Sequence, residues 1–338
     1  MSRRFIIIGA GAIGGTIAAR LASAEVPVVV VARGEHADAI ERDGLLLRTP
    51  EGDVTGHPRV WRSVDDATVT GDDVFVLAVK SHAAQQALGE WAAVRLDDGR
   101  FAGDVVPLFV TLNGVEGERL ASRYFRRVYG VCVWAPCTMP GPGVVASYFH
   151  PASGVYHVSR YPASASGADD LALLDETASV WRAAALDMQV HADSMPWKWR
   201  KLVNNVGNAF DALLDTPDHA LVAAARHEAV EVMAAAGVEL GPEHVEIAAR
   251  QAGPSMGTIP GLPYEGSSSR QSLARKTGSA GNIEAAYLNG EIALLAHSSG
   301  ASAPINEAVV WIADDAARRG LGPGCYTSAE LRAALGLR

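Results

Sequence analysis

The chain has 338 residues, of which 49% are hydrophobic and 20% charged, so it can form a folded core and wholesale disorder is excluded. At about 150 residues per domain, this length predicts roughly two domains. Its 38 acidic and 29 basic residues give a net charge of −9, which disfavours nucleic-acid or membrane phosphates and favours a small-molecule partner. Three cysteines, an odd number, are typical of a reduced cytoplasmic protein rather than a disulfide scaffold.

Strands and helices alternate in the first part of the chain. The predicted strands cover residues 5–8, 26–31, 73–79 and 105–112, and the predicted helices between them cover residues 14–23 and 82–94. The strands are short apolar runs rich in β-branched residues, which is typical of strands buried on both faces. This alternation predicts an α/β fold with an open parallel sheet of the Rossmann type.

The texture changes after about residue 190, where long alanine-rich segments replace the alternation. Predicted helices cover residues 197–214, 218–236, 243–252, 281–298 and 305–319. Residues 253–269 are rich in proline, serine and glycine and predict a loop. We therefore expect a dinucleotide-binding domain at residues 1–190 and an all-helical domain, carrying substrate and catalytic groups, at residues 191–338.

Two features bear on localisation. Arg3 and Arg4 precede an apolar run, which superficially resembles a secretory signal, but the run is only four residues long before Gly9. No run of about 18 apolar residues predicts a membrane span. We therefore expect a cytoplasmic protein with no membrane partner.

A GxGxxG motif separates the first strand from the first helix. It consists of Gly9, Ala10, Gly11, Ala12, Ile13 and Gly14. In this context the first glycine permits the tight turn, the second lets backbone approach a pyrophosphate, and the third allows close packing of helix on strand. The helix N-terminus then faces the phosphates. This segment predicts a dinucleotide site.

The end of the second strand discriminates between NAD(H) and NADP(H). An NAD site usually places an acid there to bind the ribose 2′-hydroxyl, whereas an NADP site needs a cation for the 2′-phosphate. This position is Arg33, whose planar guanidinium suits a phosphate. NADP(H) is therefore the predicted cofactor. The alternative is that Arg33 is a solvated strand-end residue and Glu35 turns back to the ribose.

Six motifs in register along the chain resemble the ketopantoate reductase family. They are the glycine loop, Arg33, Val79-Lys80-Ser81, Leu112-Asn113-Gly114-Val115, Trp199-Arg200-Lys201-Leu202 and Glu284 with Tyr287-Leu288-Asn289-Gly290. The resemblance covers nearly the whole chain. It implies a Rossmann domain followed by a helical domain, with the active site in the cleft between them.

The resemblance also implies a role for each matching residue. Lys80 would lie near the cofactor's phosphate or ribose, and Asn113 close to the nicotinamide and the substrate. Lys201 would be the general acid. Glu284 would pair with the substrate hydroxyl or position the lysine. Further substrate contacts are implied for Asn205, Asn208, Ser269 and Ser272, the last of these with the substrate carboxylate.

Elementary chemistry supports a lysine in this place. Hydride delivered to a ketone leaves charge on oxygen, so a donor must stabilise and protonate it. Burial should lower the pKa of Lys201, and Glu284 should oppose that shift. Lys201, Asn205 and Asn208 stand at helical positions i, i+4 and i+7 and so share one face of the predicted helix. A polar cleft would provide hydrogen-bond partners for the polar side chains on that face.

Departures from the family pattern weaken the substrate assignment. The asparagine that the family tends to carry eight residues after the lysine is Ala209 here, with Asn208 beside it, and a frequent glutamine is Ala83. Lys276 stands where reductases of ketopantoate often carry an acid.

The leading hypothesis is NADPH-dependent reduction of a 2-oxo acid, most like ketopantoate to pantoate in pantothenate biosynthesis.

The same residues are also compatible with other functions. The same machinery could reduce a different ketone or biosynthetic intermediate, and a catalytically silent NADP(H)-binding sensor or scaffold is the alternative from another class. The ten histidines form no HxH or HExxH pattern, so no metal site is expected.

The broad helical second half makes a homodimer plausible.

Overall fold

The computed structural model describes residues 3–275 and 283–337. Its strands are β1 (Phe5–Ile8), β2 (Val28–Val31), β3 (Leu45–Arg48), β4 (Val54–Gly56), β5 (Arg59–Trp61), β6 (Val74–Leu77), β7 (Leu108–Val110), β8 (Val128–Trp134), β9 (Cys137–Gly141), β10 (Val144–Ser147), β11 (Phe149–His150), β12 (Val155–Tyr161), β13 (Asp187–Val190) and β14 (Ser255–Met256). Its helices are α1 (Ala12–Ser23), α2 (Gly34–Asp43), α3 (Ala84–Ala92), α4 (Ala102–Val105), α5 (Glu116–Ala121), α6 (Ala168–Ala183), α7 (Met195–Asn205), α8 (Gly207–Leu213), α9 (His219–Ala235), α10 (Glu243–Ala252), α11 (Ser268–Ala274), α12 (Ala285–Ser299), α13 (Pro304–Arg318) and α14 (Ser328–Ala334).

An eight-stranded sheet, in the order β13-β12-β8-β7-β6-β1-β2-β5, forms the first part of the molecule. β1 is central and pairs in parallel with both β2 and β6. All four residues of β1, and likewise of β6, are buried, because helices and a second sheet cover both faces. The α/β fold with a Rossmann-type arrangement and a helical second part is therefore confirmed.

The sheet is mixed, which corrects the expectation of a purely parallel one. β12 runs antiparallel to β8, while β13 is parallel to β12. A second sheet, in the order β4-β3-β10-β9, packs on α1. These strands lie mostly in parts of the chain where the sequence analysis assigned no element, although β8 and β12 have the apolar, β-branched composition of strands.

The helical part begins at Met195, shortly after β13 ends at Val190. Helices α9, α10, α12 and α13 agree closely with the predicted segments, and the first two residues of the segment predicted at 281–298 lie outside the described residues. The division into domains at residues 190 and 191 stays a prediction.

One predicted helix is wrong. The segment 197–214 forms two helices, α7 and α8, which meet at Val206. The side chain of Asn289, fully buried in α12, donates to the Val206 carbonyl at 3.0 Å and to Asn306 Oδ1 at 2.9 Å. A partner outside the helix thus satisfies a carbonyl at the junction, where helix ends otherwise leave such groups unpaired. Periodicity shows only a continuous apolar face and not this tertiary contact.

Candidate active site

A cavity of about 1210 Å³ lies where the carboxyl ends of β1, β6 and β7 meet the helical part. Ligands of open α/β sheets bind at this edge. The glycine loop and the segments after β6 and β7 line one part of its wall. Helices α7, α8 and α11 line another part, together with Trp134, Phe149, Arg250 and Glu284.

The glycine loop has the geometry that a dinucleotide requires. Gly9 has φ +106°, and a Cβ there would lie 3.0 Å from backbone atoms of Ala78. A Cβ on Gly14 would lie 1.9 Å from the Gly9 carbonyl oxygen, whereas one on Gly11 would meet nothing within 4 Å. The loop is therefore closed toward the protein and open at Gly11, the residue that precedes α1. The fit to a pyrophosphate at this helix N-terminus is good.

The structure brings four of the six loop residues to the cavity: Gly9, Gly11, Ala12 and Ile13 line it. Ala10 and Gly14 are buried behind them. Arg33 does not line the cavity but is exposed just after β2, as the residue that caps α2.

His36 holds the glycine loop from behind, and sequence reasoning missed it. Its Nδ1 accepts from the backbone N–H of Gly143 at 2.9 Å, so Nε2 carries the proton and donates to the Ala10 carbonyl at 2.8 Å. Burial lowers the pKa of His36, although the contact with Ala10 opposes that shift. The neutral ring thus ties the loop to the turn between β9 and β10.

Lys201 lies in the cavity wall beside Asn113. Its Nζ donates to Asn113 Oδ1 at 2.7 Å, across a sequence separation of 88 residues. Burial lowers the pKa of Lys201 to about 8, and the nearby charge of Glu284 opposes that shift, both in the predicted directions. The ammonium can therefore release its proton near neutral pH, which a solvated lysine does poorly.

Gly114 explains how Asn113 reaches this place. Its φ is +75°, and a Cβ there would lie 2.7 Å from the Tyr287 carbonyl oxygen of α12. A side chain at this position would push the turn after β7 away from α12. Two of the segments that carry the family resemblance therefore touch each other.

Glu284 pairs with Lys80 and not directly with Lys201. Lys80 Nζ donates to Glu284 Oε2 at 2.7 Å, and Ser81 Oγ donates to Oε1 at 2.9 Å. Burial alone would raise the pKa of Glu284, but the ammonium of Lys80 and the hydrogen bonds from Lys80 and Ser81 hold it below its usual value. Glu284 acts on Lys201 through space rather than by a direct hydrogen bond, and its contact with a substrate hydroxyl stays a prediction.

The backbone of Glu284 is strained. Its φ is +63°, in the left-handed region that non-glycine residues rarely adopt, immediately before α12 begins. Such a conformation costs about 1–3 kcal/mol and persists where surrounding contacts determine it. Lys80 and Ser81 supply such contacts and aim the carboxylate at the cavity.

The remaining predicted residues divide into two groups. Asn205, Asn208 and Ser272 line the cavity with Lys201. Ser269 does not line it, because its hydroxyl is buried and donates to the Ile283 carbonyl at 2.7 Å. A substrate contact of Ser269 is therefore not supported by its placement, whereas its role in holding the chain before Glu284 is evident. Lys276 lies outside the described residues.

A second lysine–carboxylate pair, also missed from the sequence, lies in the adjoining interior. Lys198, one turn before Lys201 on α7, contacts Glu118 Oε1 and donates to the Leu112 carbonyl at 3.1 Å. The side chains of Lys198 and Glu118 are 3% and 0% exposed. Because Leu112 precedes Asn113, this pair fixes α7 against the turn that holds Asn113.

Comparison with known proteins identifies the family. Residues 5–162 match the family described as ketopantoate reductase PanE/ApbA, and residues 193–315 match its C-terminal counterpart. The chain belongs to the ketopantoate reductase family. The resemblance seen in the sequence is thereby confirmed.

Individual relatives in the ketopantoate reductase family are distant. The 2-dehydropantoate 2-reductase of Pyrococcus horikoshii is 25% identical over 222 residues, which cover 64% of this chain and 66% of that relative. The one from Mesorhizobium japonicum is 35% identical over 113 residues, 33% of this chain and 32% of the relative. The chain thus matches just under two thirds of the first relative's length and about a third of the second's.

Solved structures cover more of the chain. A PanE/ApbA family ketopantoate reductase from Ralstonia eutropha JMP134 is 25% identical, with a TM-score of 0.74 over 94% of this chain and 99% of that one. D-mandelate dehydrogenase in a ternary structure with NADH and anilino(oxo)acetate is 18% identical, with a TM-score of 0.73 and the same coverage. At that identity the second likeness shows the fold alone.

Within residues 3–275 and 283–337, no group of three or more histidine, cysteine, aspartate or glutamate side chains could hold a metal ion. Among the helices that the structure describes, none is long and apolar enough to cross a membrane.

Proposed function

We propose that this protein is an NADPH-dependent reductase that converts a 2-oxo acid to a 2-hydroxy acid, with ketopantoate as the first substrate to test. The observation that carries the proposal is the position of Lys201. It lies in the cavity that contains the glycine loop, is bound to Asn113, and has a pKa lowered by burial to about 8. Family membership supports the same reaction class.

Lys201 and Asn113 would act together in the reduction. A bound nicotinamide supplies the hydride that reaches the carbonyl carbon. As that bond forms, the carbonyl π electrons move to oxygen, and Lys201 Nζ donates the proton that makes the hydroxyl. Asn113 holds Nζ in place through its amide oxygen. Neutral Lys201 then regains a proton from solvent, so hydride and proton together balance the reduction.

Lys80 and Glu284 would organise the boundary between cofactor and substrate. Lys80 follows β6 at the edge that carries the glycine loop, and Glu284 anchors it from the helical part. The pair therefore links the two sides of the cavity. Because Glu284 stays ionised, its charge also favours the protonated form of Lys201.

The preference for NADPH rests on Arg33. Its exposed guanidinium stands at the end of β2, where the adenosine ribose of a Rossmann ligand lies. Arg33→Asp should weaken NADPH binding far more than NADH binding, measured by fluorescence titration. Arg42→Asp on α2, which also reverses the charge of an exposed arginine, is the matched control. Equal losses for both cofactors would contradict the assignment.

The substrate within this reaction class remains open to a direct test. A screen of NADPH oxidation at 340 nm with ketopantoate, other 2-oxo acids and β-keto compounds should find activity with a 2-oxo acid. The changes at Ala83 and Ala209 favour a ketone other than ketopantoate as the second candidate. A wild-type protein that binds NADPH but reduces nothing would instead support a sensor or scaffold.

Lys201→Ala separates catalysis from cofactor binding. Loss of a general acid typically lowers the rate about 100- to 10,000-fold, while NADPH affinity should change little because Lys201 does not belong to the glycine loop. A variant with unchanged turnover would overturn the assignment of the proton donor.

We also propose that the protein is cytoplasmic and forms a homodimer. Its cysteines are free, with Cys132 and Cys137 buried, which suits a reducing compartment. Light scattering after gel filtration tests the dimer, and fractionation of cells that express the tagged protein tests the compartment.

A further inference from the structure

Arg250 is a cavity residue to which no part of the proposed reaction assigns a role. It stands near the end of α10, and its side chain is 42% exposed. The guanidinium carbon lies 4.1 Å from the ring centroid of Trp134, the last residue of β8. Both side chains line the same cavity as Lys201.

Two nitrogens of this guanidinium are hydrogen-bonded to one carboxylate. Nε and Nη2 bind Glu246 Oε1 at 2.8 and 2.7 Å, and Glu246 is 7% exposed. Asn204 also donates to that oxygen, at 3.2 Å. Nη1 makes no hydrogen bond to any residue in 3–275 or 283–337. The guanidinium is therefore oriented by Glu246 and Trp134, and its Nη1 can still donate a hydrogen bond.

Arg250 and Lys201 both lie near strand β8. Cys132 and Trp134 belong to one cluster on one face of β8, two residues apart and hence about 6–7 Å from each other. α7 packs on this strand, and the charge of Lys201 acts on Cys132 as that of Arg250 acts on Lys201. Both cations therefore lie near one stretch of β8, and the charge of each acts on Cys132.

We propose that Arg250 binds the carboxylate of the substrate while Lys201 faces its keto oxygen. The inference rests on the proposed function and narrows its substrates to 2-oxo acids, excluding neutral ketones. Both cations line the same cavity, so one 2-oxo acid could present its keto oxygen to Lys201 and its carboxylate to Arg250. A carboxylate can accept a charge-assisted hydrogen bond from the remaining guanidinium donors, whereas a neutral ketone offers no charge at that position.

The cofactor's phosphates are the competing anion, and the sheet order places them elsewhere. β8 is separated from β1 by β7 and β6, so the Arg250 cluster stands three strand spacings, about 14 Å, from the strand that leads into the glycine loop. Arg250 is therefore at the substrate end of the cavity.

The test compares an acid with its uncharged ester. The best 2-oxo acid from the substrate screen and its methyl ester are assayed with wild type, Arg250→Gln and Arg250→Lys. Arg319→Gln is the matched control, because Arg319 also pairs with an acid four residues earlier, Asp315, but lies outside the cavity. Glutamine can still donate to Glu246, and thermal melts verify folding.

Arg250→Gln should raise KM for the acid about 10- to 100-fold, the loss expected for a charge-assisted hydrogen bond. We expect kcat for the acid, KM for the ester and KM for NADPH to stay within about threefold, and Arg250→Lys to recover part of the loss. Equal increases in KM for acid and ester would mean that Arg250 only supports the fold, and an unchanged KM for the acid would overturn the inference outright.

A binding measurement keeps this test separate from that of the reaction. The corresponding 2-hydroxy acid and its methyl ester are titrated calorimetrically into protein saturated with NADP+. Wild type should bind the acid more tightly than the ester, and Arg250→Gln should remove the difference. If no 2-oxo acid is reduced but this difference is found, the proposed function fails while the carboxylate site stands. No difference in wild type overturns the carboxylate site.

Discussion

Lys198 with Glu118 and Lys80 with Glu284 are chemically the same pair in two different settings. The first is closed off from solvent, and one carboxylate oxygen, Glu118 Oε2, has no partner within the described residues. The second lines the cavity, where Lys80 is 32% exposed and both carboxylate oxygens accept hydrogen bonds. Burial raises the pKa of Glu118 despite Lys198, whereas Lys80 and Ser81 outweigh burial and lower that of Glu284.

The two settings suit the two lysine–carboxylate pairs to different roles. A carboxylate whose two oxygens are both bound keeps its charge at working pH and can act on a neighbouring lysine. A deeply buried pair with an unsatisfied oxygen contributes little net stability, but becomes very costly once one partner is removed. The proposed reaction therefore uses the Lys80 pair, whereas the Lys198 pair holds α7 in place.

The largest expected effect comes from breaking the buried pair. Lys198→Met should lower the free energy of unfolding by about 3–5 kcal/mol, because it leaves the Glu118 carboxyl in the interior without its partner. Lys80→Met, the matched change at the cavity, should cost about 1.5–3 kcal/mol, because Ser81 still donates to Glu284. Urea unfolding of both variants measures the two losses.

A double variant checks the physical reason. Lys198→Met combined with Glu118→Leu removes the stranded charge and should recover most of the lost stability. If the double variant is no more stable than Lys198→Met alone, then lost packing and not charge burial explains the result. The same stability loss for Lys198→Met and Lys80→Met would remove the contrast between the pairs.

Glu284→Gln should have a smaller effect on folding and a clear one on turnover. We expect kcat/KM to fall about 10- to 100-fold, consistent with loss of a charge-assisted contact. The basic limb of its pH profile should move to lower pH, since Glu284 raises the pKa of Lys201. Glu118→Gln, assayed well below its melting temperature, should leave that limb in place. A limb that does not move would show that Glu284 acts only through Lys80.

The smallest expected effect is the pH dependence of the wild type. In the proposed reaction Lys201 donates a proton, so its charged form is the active one, and that form predominates below its pKa of about 8. kcat/KM should therefore be level below this pH and fall about tenfold per unit well above it. In Lys201→Arg the inflection should disappear, because guanidinium stays protonated. A wild-type profile that is flat to pH 10 would contradict the lowered pKa.

The sequence was informative where chemistry is local. Gly9, Gly11 and Gly14 act within one turn, so their spacing alone predicts the loop and the strand and helix around it. Lys201 was predicted as the donor because its motif resembles the family's. The hydrogen bond from Lys201 to Asn113, by contrast, joins residues 88 apart and follows from the fold.

The remaining features depend on tertiary contacts that spacing does not encode. Ser269 and Ser272 are three residues apart on α11, yet one donates to the Ile283 carbonyl and the other lines the cavity. Glu284 selects Lys80 as its partner because the turn after β6 approaches α12. Arg250 belongs to no motif, and only the position of Trp134 at the end of β8 marks it.

The break at Val206 has a consequence for how such a protein can diversify. Asn289 binds the carbonyl at the junction, so α7 and α8 are separate helices that meet at a fixed point. Lys201 is carried by α7, whereas Asn208 is carried by α8. Substitutions on α8 can therefore reshape the cavity wall around Asn208 while Lys201 and Asn205 keep their places on α7.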